Sequence, residues 1–334
     1  MDIGSLKQTA RARLESASYD PRRLALIHTG AALGVSVLLT VVSFVVDRQI
    51  GNTGGLSGIG LRSVLSTVQT VLQGVAGLLL PFWQIGFLAA ALAFARGGRV
   101  TPMTLTQGFL KFRPVLRLMI LQLLATIGIG LACVYVSSFA FMMTPLAEPL
   151  FEILEPALQE TALDADVMLS LDEATLVAAT DAMMPAVAIA LVLFGVVMLF
   201  VGYRFRIAKF VVLEENAPVR GIGAVLKAMK LLRRRSFRFF RLDLQFWWYY
   251  LLQMLLVIVG YGETLLYYLG VELPLPDGVG FFLFFGLQVV GQLILLTRAR
   301  PLVETTYALF YEGLKEEVPT PPVQPNPQHF NWDV

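Results

Sequence analysis

Apolar residues gather along this chain in long blocks, separated by stretches where charge collects. A helix needs about 20 apolar residues to cross ~30 Å of hydrocarbon. Six blocks reach that length: 24 to 46, 72 to 95 with a helical lead-in from Leu61, 115 to 143, 183 to 203, 242 to 265, and 279 to 297. The pattern predicts an all-α, polytopic membrane protein with six transmembrane helices between residues 24 and 316. Residues 1 to 23 form a polar cytoplasmic N-terminal segment, too long and too mixed in charge for a cleaved signal peptide. The first block is therefore kept as an anchor. Residues 317 to 334 (EVPTPPVQPNPQHFNWDV) carry too many prolines for helix or sheet and read as a flexible cytoplasmic tail.

Orientation follows from the connections. Lys7, Arg11, Arg13, Arg22 and Arg23 precede the first block; Arg96, Arg99, Lys111, Arg113 and Arg117 lie between the second and third. Eleven basic residues run from Arg204 to Arg241 against Glu214 and Glu215 alone, and Arg298, Arg300 and Lys315 follow the sixth block. The alternate connections are poor in Lys and Arg, and 144 to 182 carries nine acids with no basic residue. Basic loops stay on the cytoplasmic side, so both termini are expected inside and the acidic loop outside. Bulk composition agrees. The chain is 56% hydrophobic and 15% charged, with mean hydropathy +0.69, whereas soluble domains carry about a quarter charged residues. The net charge of +2 says little, because the charges are sorted by position.

Cytoplasmic amphipathic helices are expected between blocks two and three and between blocks four and five. In the second connection Lys227, Lys230, Arg234, Arg238 and Arg241 are spaced 3, 4, 4 and 3, one stripe on a continuous helix over 219 to 241. Ile222, Val225, Met229 and Leu232 form a separate apolar stripe. Such a helix lies on a membrane surface with its charges among lipid phosphates, and Trp247, Trp248, Tyr249 and Tyr250 follow where interfacial aromatics sit. Basic and aromatic residues also mark single-stranded nucleic-acid binding. Here the aromatics belong to an apolar block and cannot face a strand in water, so no nucleic-acid partner is expected. Residues 101 to 121 repeat the order of amphipathic piece, basic residues and apolar block, which suggests a parallel duplication.

The run from Tyr203 to Leu252 resembles the core of a bacterial integral-membrane family of unknown function, number 975. The shared features are the turn Glu215, Asn216, Ala217, Pro218 and the span approach Phe240, Leu242, Leu244, Phe246, Trp248. Near the end of the chain, Pro301, Phe310, Tyr311 and Leu314 match the family's closing pattern. The resemblance covers about 80 to 316 and departs in the acidic loop and in the link before the last block. It also extends to the membrane domain attached to some glycerophosphodiester phosphodiesterases. It implies a bacterial cytoplasmic-membrane location and supplies no activity.

Candidate chemistry is sparse. His28 and His329 are the only histidines and Cys133 the only cysteine, so no metal-ligand spacing exists. The acidic loop lacks the Asp-x-Asp-x-Asp-Gly order of a calcium loop. No cofactor and no catalytic residues are expected. Gly30 and Gly34, the glycines of 74 to 77 and those of 128 to 132 read as helix-packing positions. Glu304 can pair with Arg300 one turn away. Gln84, Gln253, Gln288 and Gln292 form an amide set near mid-bilayer, either interhelical hydrogen bonds or the polar lining of a route. Two functions follow. One is a non-enzymatic membrane protein engaging anionic lipid headgroups, a protein partner or a second copy through its basic helices. The other is a small transporter or lipid-handling channel using the amides.

Overall fold

The computed structural model describes residues 3–52, 56–148, 150–151, 173–214, 221–271 and 279–317, and no strand occurs among them. The expected acidic loop lies largely outside these residues, as do the turn from Glu215 to Pro218, the link before the last block and the proline-rich tail. The helices are α1 (Ile3–Glu15), α2 (Pro21–Asn52), α3 (Leu56–Ala95), α4 (Gln107–Leu110), α5 (Phe112–Met142), α6 (Glu173–Leu213), α7 (Gly221–Leu232), α8 (Ser236–Gln245), α9 (Trp247–Gly260), α10 (Gly262–Tyr268) and α11 (Val279–Glu317).

Five stretches are long and apolar enough to cross a membrane: Pro21–Val46, Ser63–Ala95, Phe112–Met142, Thr180–Leu213 and Val279–Glu317. The expected fifth block differs. Its start is α8, which meets α9 at Phe246 with a bend of 64°, and only if this bent pair is one span does the number reach six. The 14 residues of α9 rise about 21 Å, short of the ~30 Å of hydrocarbon. The sixth block also differs, because its helix runs on through Arg298, Arg300 and Pro301 to Glu317. Length and composition make the chain a multi-pass membrane protein.

The chain divides into two compact units, Met1–Leu116 with Ile207–Val334, and Arg117–Arg206. In the first, α3 is central: 61% of its apolar window is buried, against 6% for each of the other four stretches. Helix α2 packs on α3, and α11 packs on α2, α3 and α9. The expected N-terminal segment is itself helical, with Leu6 and Ala10 buried where α1 runs along α11. The core sits at one end of the bundle. Leu24, Ala25, Phe87, Ala90, Phe94, Val100 and Leu105 form one buried cluster there. Phe210 stacks on Tyr311, and Phe239 stacks on Tyr307. Further along the same helices, Leu38, Val41, Val68, Val71 and Met254 are exposed. That distribution suits hydrocarbon, which solvates apolar side chains and removes the drive to bury them.

In the second unit, the turn Pro145–Ala147 follows α5, and a small core of Phe141, Ala147, Leu150 and Ala186 packs with Ala182. Cys133 is buried and unbridged.

Helix α3 ends by a glycine motif. Gly97 has φ +68°, its N–H donates to Phe94 O, and the Gly98 N–H donates to Ala93 O. The left-handed turn satisfies the last carbonyls of the helix. The following segment, Pro102–Leu110, folds back against α3. Phe82 stacks on Phe109 and Phe112, with centroids 5.7 and 4.9 Å away. Two glycines permit this approach: a Cβ at Gly86 would overlap the Leu105 carbonyl, and one at Gly108 the Phe82 carbonyl. The glycines expected to pack do not. Around Gly30, Gly34, Gly74, Gly77 and Gly128 no atom lies within 4 Å of a Cβ position, and at Gly130 the nearest atom, of Phe194, is at an ordinary 3.7 Å. Spacing alone chose the wrong glycines, because close approach depends on which partner backbone arrives.

Both clashes at Gly86 and Gly108 are with backbone atoms, so rotamer changes cannot relieve them. Gly86→Ala and Gly108→Ala should each cost about 2 to 3 kcal/mol, whereas Gly30→Ala should be neutral or slightly stabilising. Thermal unfolding of the detergent-solubilised protein measures all three.

Candidate functional site

The basic connector is built differently from the continuous helix expected over 219 to 241. Helix α7 stops at Leu232, and α8 starts at Ser236. Between them Arg234 takes φ +65°, the one non-glycine residue with positive φ among those described. A left-handed residue turns the chain out of the helix. The Arg235 N–H then donates to Leu232 O at 2.9 Å. Glycine closes α3 and, at Gly270, α10, but an arginine does so here. The stripe of five cations is thereby split between two helices.

Helix α7 buries Ala224, Ala228, Leu231 and Leu232 against the protein. Ile222, Leu226 and Met229, at i, i+4 and i+7, stay exposed, and so does Phe237 on α8. Of the expected apolar stripe, Ile222 and Met229 are thus outward, Val225 half-buried and Leu232 inward. The cations divide in the same manner. Lys227 binds Glu214 at 3.1 Å, and Arg238 and Arg235 reach Glu317 at 3.3 and 3.2 Å. Lys230, Arg233, Arg234 and Arg241 are exposed and have no acidic partner among the described residues. The Arg241 guanidinium lies 5.0 Å from the Phe237 ring centroid.

Beneath the connector, an ionic cluster joins five helix ends and connections that the sequence keeps far apart. The Glu214 carboxylate, 12% exposed, receives Lys227, Lys315 and Arg96. Arg96 also holds Glu312 through two guanidinium nitrogens, at 2.9 and 2.6 Å. The Lys111 ammonium donates to the carbonyls of Val212, Leu213 and Glu214 at 3.5, 2.7 and 3.2 Å. A cation on the last carbonyls satisfies the unpaired acceptors and the negative end of the α6 dipole. Burial pushes the Glu214 pKa up. The Lys315 and Lys227 hydrogen bonds, the Lys315 charge and the nearby Tyr311 hydroxyl outweigh that push, and the net shift is downward.

The four expected interfacial aromatics separate. Trp247 and Trp248 are exposed, at 60% and 36%, while Tyr249 is buried and Tyr250 half-buried. Tyr307 donates its hydroxyl to Asp243 Oδ1, which leaves Tyr250 to donate to Tyr307 at 2.9 Å. The bent α8–α9 pair is thus tied to α11 through a carboxylate and two phenols.

The four amides do not form one network. Gln84 is exposed, opposite the face of α3 that carries Phe82 and Gly86. Gln253 donates to the Tyr249 hydroxyl one turn back on its own helix. Gln288 lies against the bare backbone of Gly260, and Gln292 is half-buried one turn further along α11. Among the described residues no amide of the set bonds another.

The polar centre that spacing did not single out is His28, fully buried on α2. Its ring stacks on Trp83, 5.5 Å away and 8° from parallel. Arg300 Nη1 lies 3.1 Å from Nδ1, and Trp83 O lies 3.2 Å from Nε2. Guanidinium is only a donor, so Nδ1 accepts and Nε2–H donates. The Trp83 indole N–H in turn donates to His28 O at 2.9 Å. Arg300 does not pair with Glu304. It turns to His28 and lies 4.7 Å from the Phe87 ring centroid.

No group of three or more metal-ligating side chains occurs among the described residues. No family model, curated protein or solved structure matches the chain.

Two outcomes follow for this region. A glutamate whose folded pKa is depressed stabilises the fold above its ordinary value of 4.5 and loses that contribution as pH falls through the lower folded value. Glu214→Gln should therefore cost on the order of 2 kcal/mol at pH 7 and flatten the acid limb of a melting-temperature profile between pH 7 and 3. At Arg234, glycine removes left-handed strain of about 1 to 2 kcal/mol. Arg234→Gly should raise the unfolding temperature, whereas Arg234→Ala should not.

Proposed function

We propose that the chain is a six-span protein of the bacterial cytoplasmic membrane, with both termini and the basic connections inside, that performs no chemistry and engages anionic lipid headgroups through the α7–α8 connector. The observation that carries this reading is the unpaired quartet Lys230, Arg233, Arg234 and Arg241 beside exposed Ile222, Leu226, Met229 and Phe237. Apolar side chains at that place enter the acyl boundary while the cations stay with the phosphates. The internal acids neutralise Lys227, Arg235 and Arg238 and leave the outward charges to an external anion.

The six-span count treats the bent α8–α9 pair as one crossing. Orientation rests on the basic connections, since Arg96, Lys111, Lys227 and Lys315 meet in one cluster at the core end of the first unit. The resemblance to family 975 accords with this arrangement. Transport through the amides is the weaker reading, because Gln253 is bonded within its own helix, Gln84 is exposed, and Gln288 and Gln292 are half-buried on α11 with no bond to the other two.

Each cation near an anionic leaflet contributes about 1 kcal/mol, so three reversals should weaken surface attachment by more than a hundredfold. An environment-sensitive dye on Met229→Cys, with Cys133→Ser, reports the depth of α7 in reconstituted bilayers. Its emission should shift to the blue as phosphatidylglycerol replaces phosphatidylcholine, and the shift should shrink in high salt. Lys230→Glu with Arg233→Glu and Arg241→Glu should abolish it; an unchanged lipid response in that variant would remove the reading.

A further inference from the structure

We propose a second lipid site, separate from the connector: the groove between α2 and α3 holds one acyl chain of an anionic phospholipid whose phosphate rests on Arg300. The groove is about 190 Å³, open on one side and lined only by apolar surface, from Ala31, Ala32 and Val35 on α2, Ala76, Leu79, Leu80 and Trp83 on α3, and Phe109. That volume is smaller than the roughly 300 Å³ of the smallest drug-sized pockets and suits a narrow chain, and an aqueous solute would find no polar partner on these walls. Val35 is 38% exposed and neighbouring Leu79 47%, so the groove opens sideways along the two helices. Each methylene buried there contributes about 0.8 kcal/mol relative to water, but relative to bulk lipid almost nothing. A chain needs a second reason to stay.

Arg300 supplies it. His28, Ala31, Ala32 and Val35 stand at i, i+3, i+4 and i+7 on one face of α2, and Trp83 and Phe87 stand at i and i+4 on α3. The guanidinium sits on His28 and over Phe87. His28 stands about one helical turn, ~5 Å, beyond the lining, and the guanidinium is held beside it. Arg300 is half-buried and has no carboxylate partner among the described residues. Ionised side chains inside a membrane protein are costly and pair with a counter-charge. Here the His28–Trp83 pair holds the cation in place without neutralising it, and a phosphate, which guanidinium grips at two points, would supply the counter-charge. A phospholipid offers both halves at the right separation, an anion at the arginine and a chain running away from it between the helices. Free phosphate would satisfy only the arginine.

The site rests on the chain being embedded in a bilayer and does not depend on the connector. Trp83 reports it directly. Replacing Trp247, Trp248 and Trp332 with phenylalanine leaves one indole in the groove wall. In phosphatidylcholine bilayers, that indole should be quenched about fivefold more effectively by phosphatidylglycerol with brominated acyl chains than by brominated phosphatidylcholine, the preference one cation confers. Inorganic phosphate should not compete. Arg300→Gln should bring the two lipids level, and Ala31→Phe should reduce quenching by both. Equal quenching in the parent protein, a preference surviving in Arg300→Gln, or competition by phosphate alone would overturn the site. Should Arg300→Gln fail to fold, the parent comparison and the phosphate competition still decide. Lys230→Glu, Arg233→Glu and Arg241→Glu together should leave the Trp83 preference intact, so failure of the connector and failure of the groove are told apart.

Discussion

Hydrocarbon dissolves apolar side chains as readily as a protein core does, and that constraint decides where this molecule can be held together. The bundle cannot gain much by hiding Leu38, Val68 or Met254, and it leaves them exposed. What it must satisfy are helix ends, charges and connecting backbone, for which lipid offers nothing. Buried residues accordingly concentrate at one end of the first unit, from Leu24 and Ala25 on α2 and Phe87 to Ala95 on α3 to the stretch from Ala299 to Leu314 on α11. There α1, the turn Pro102–Thr106, α4, α7 and α8 supply a water-type core around the emerging helices. Within the first unit, a small buried core thus joins the ends of membrane-length helices.

Polar groups at that end do two jobs, and the division is chemical. Carboxylates are scarce, and three of them are shared: Glu214 takes three cations, Glu312 two and Glu317 two. Lys111 spends its charge on carbonyls at the end of α6. With the inner cations so satisfied, the excess of basic residues in the connector has no internal destination. It stays on the exposed side of α7 and α8, next to apolar residues that a purely aqueous surface would not favour. Internal ion pairing thus leaves a defined outward charge, a more specific result than a basic segment as such.

Much of the architecture was legible from periodicity and block length. The positions of α2, α3, α5, α6 and the first half of α11 follow from uninterrupted apolar runs of bilayer length, a strong local signal. What was not legible depended on partners distant in sequence. The 64° bend at Phe246 and the left-handed Arg234 carry no glycine or proline, so local propensity pointed to a straight helix, and tertiary packing of Phe239, Leu242 and Phe246 overrode it. Gly86 and Gly108 look no different in sequence from Gly30 and Gly34, and only the arrival of 102 to 110 separates them. The Glu214 cluster unites positions 96, 111, 214, 227, 312 and 315, with no spacing to announce it. Gln84, Gln253, Gln288 and Gln292 shared a depth in the sequence, yet helix rotation points them at different neighbours. Depth is encoded in a hydropathy profile; azimuth is not.

His28 and Arg300 show how azimuth creates chemistry from unremarkable positions. Either residue alone, at the end of an apolar block, would be explained by snorkelling toward the interface. Their contact fixes a tautomer, locks Trp83 against α2 and anchors a guanidinium between two apolar helices. A half-buried arginine without a carboxylate partner among the described residues carries a desolvation cost that its His28 and Phe87 contacts offset without neutralising its charge. Snorkelling into water would remove that cost but would forfeit the Phe87 and His28 contacts that hold the side chain. An anion at that place would supply the counter-charge that His28 and Phe87 do not. In a bilayer the abundant species with an anion at that depth and an apolar chain directed along the helices is a phospholipid.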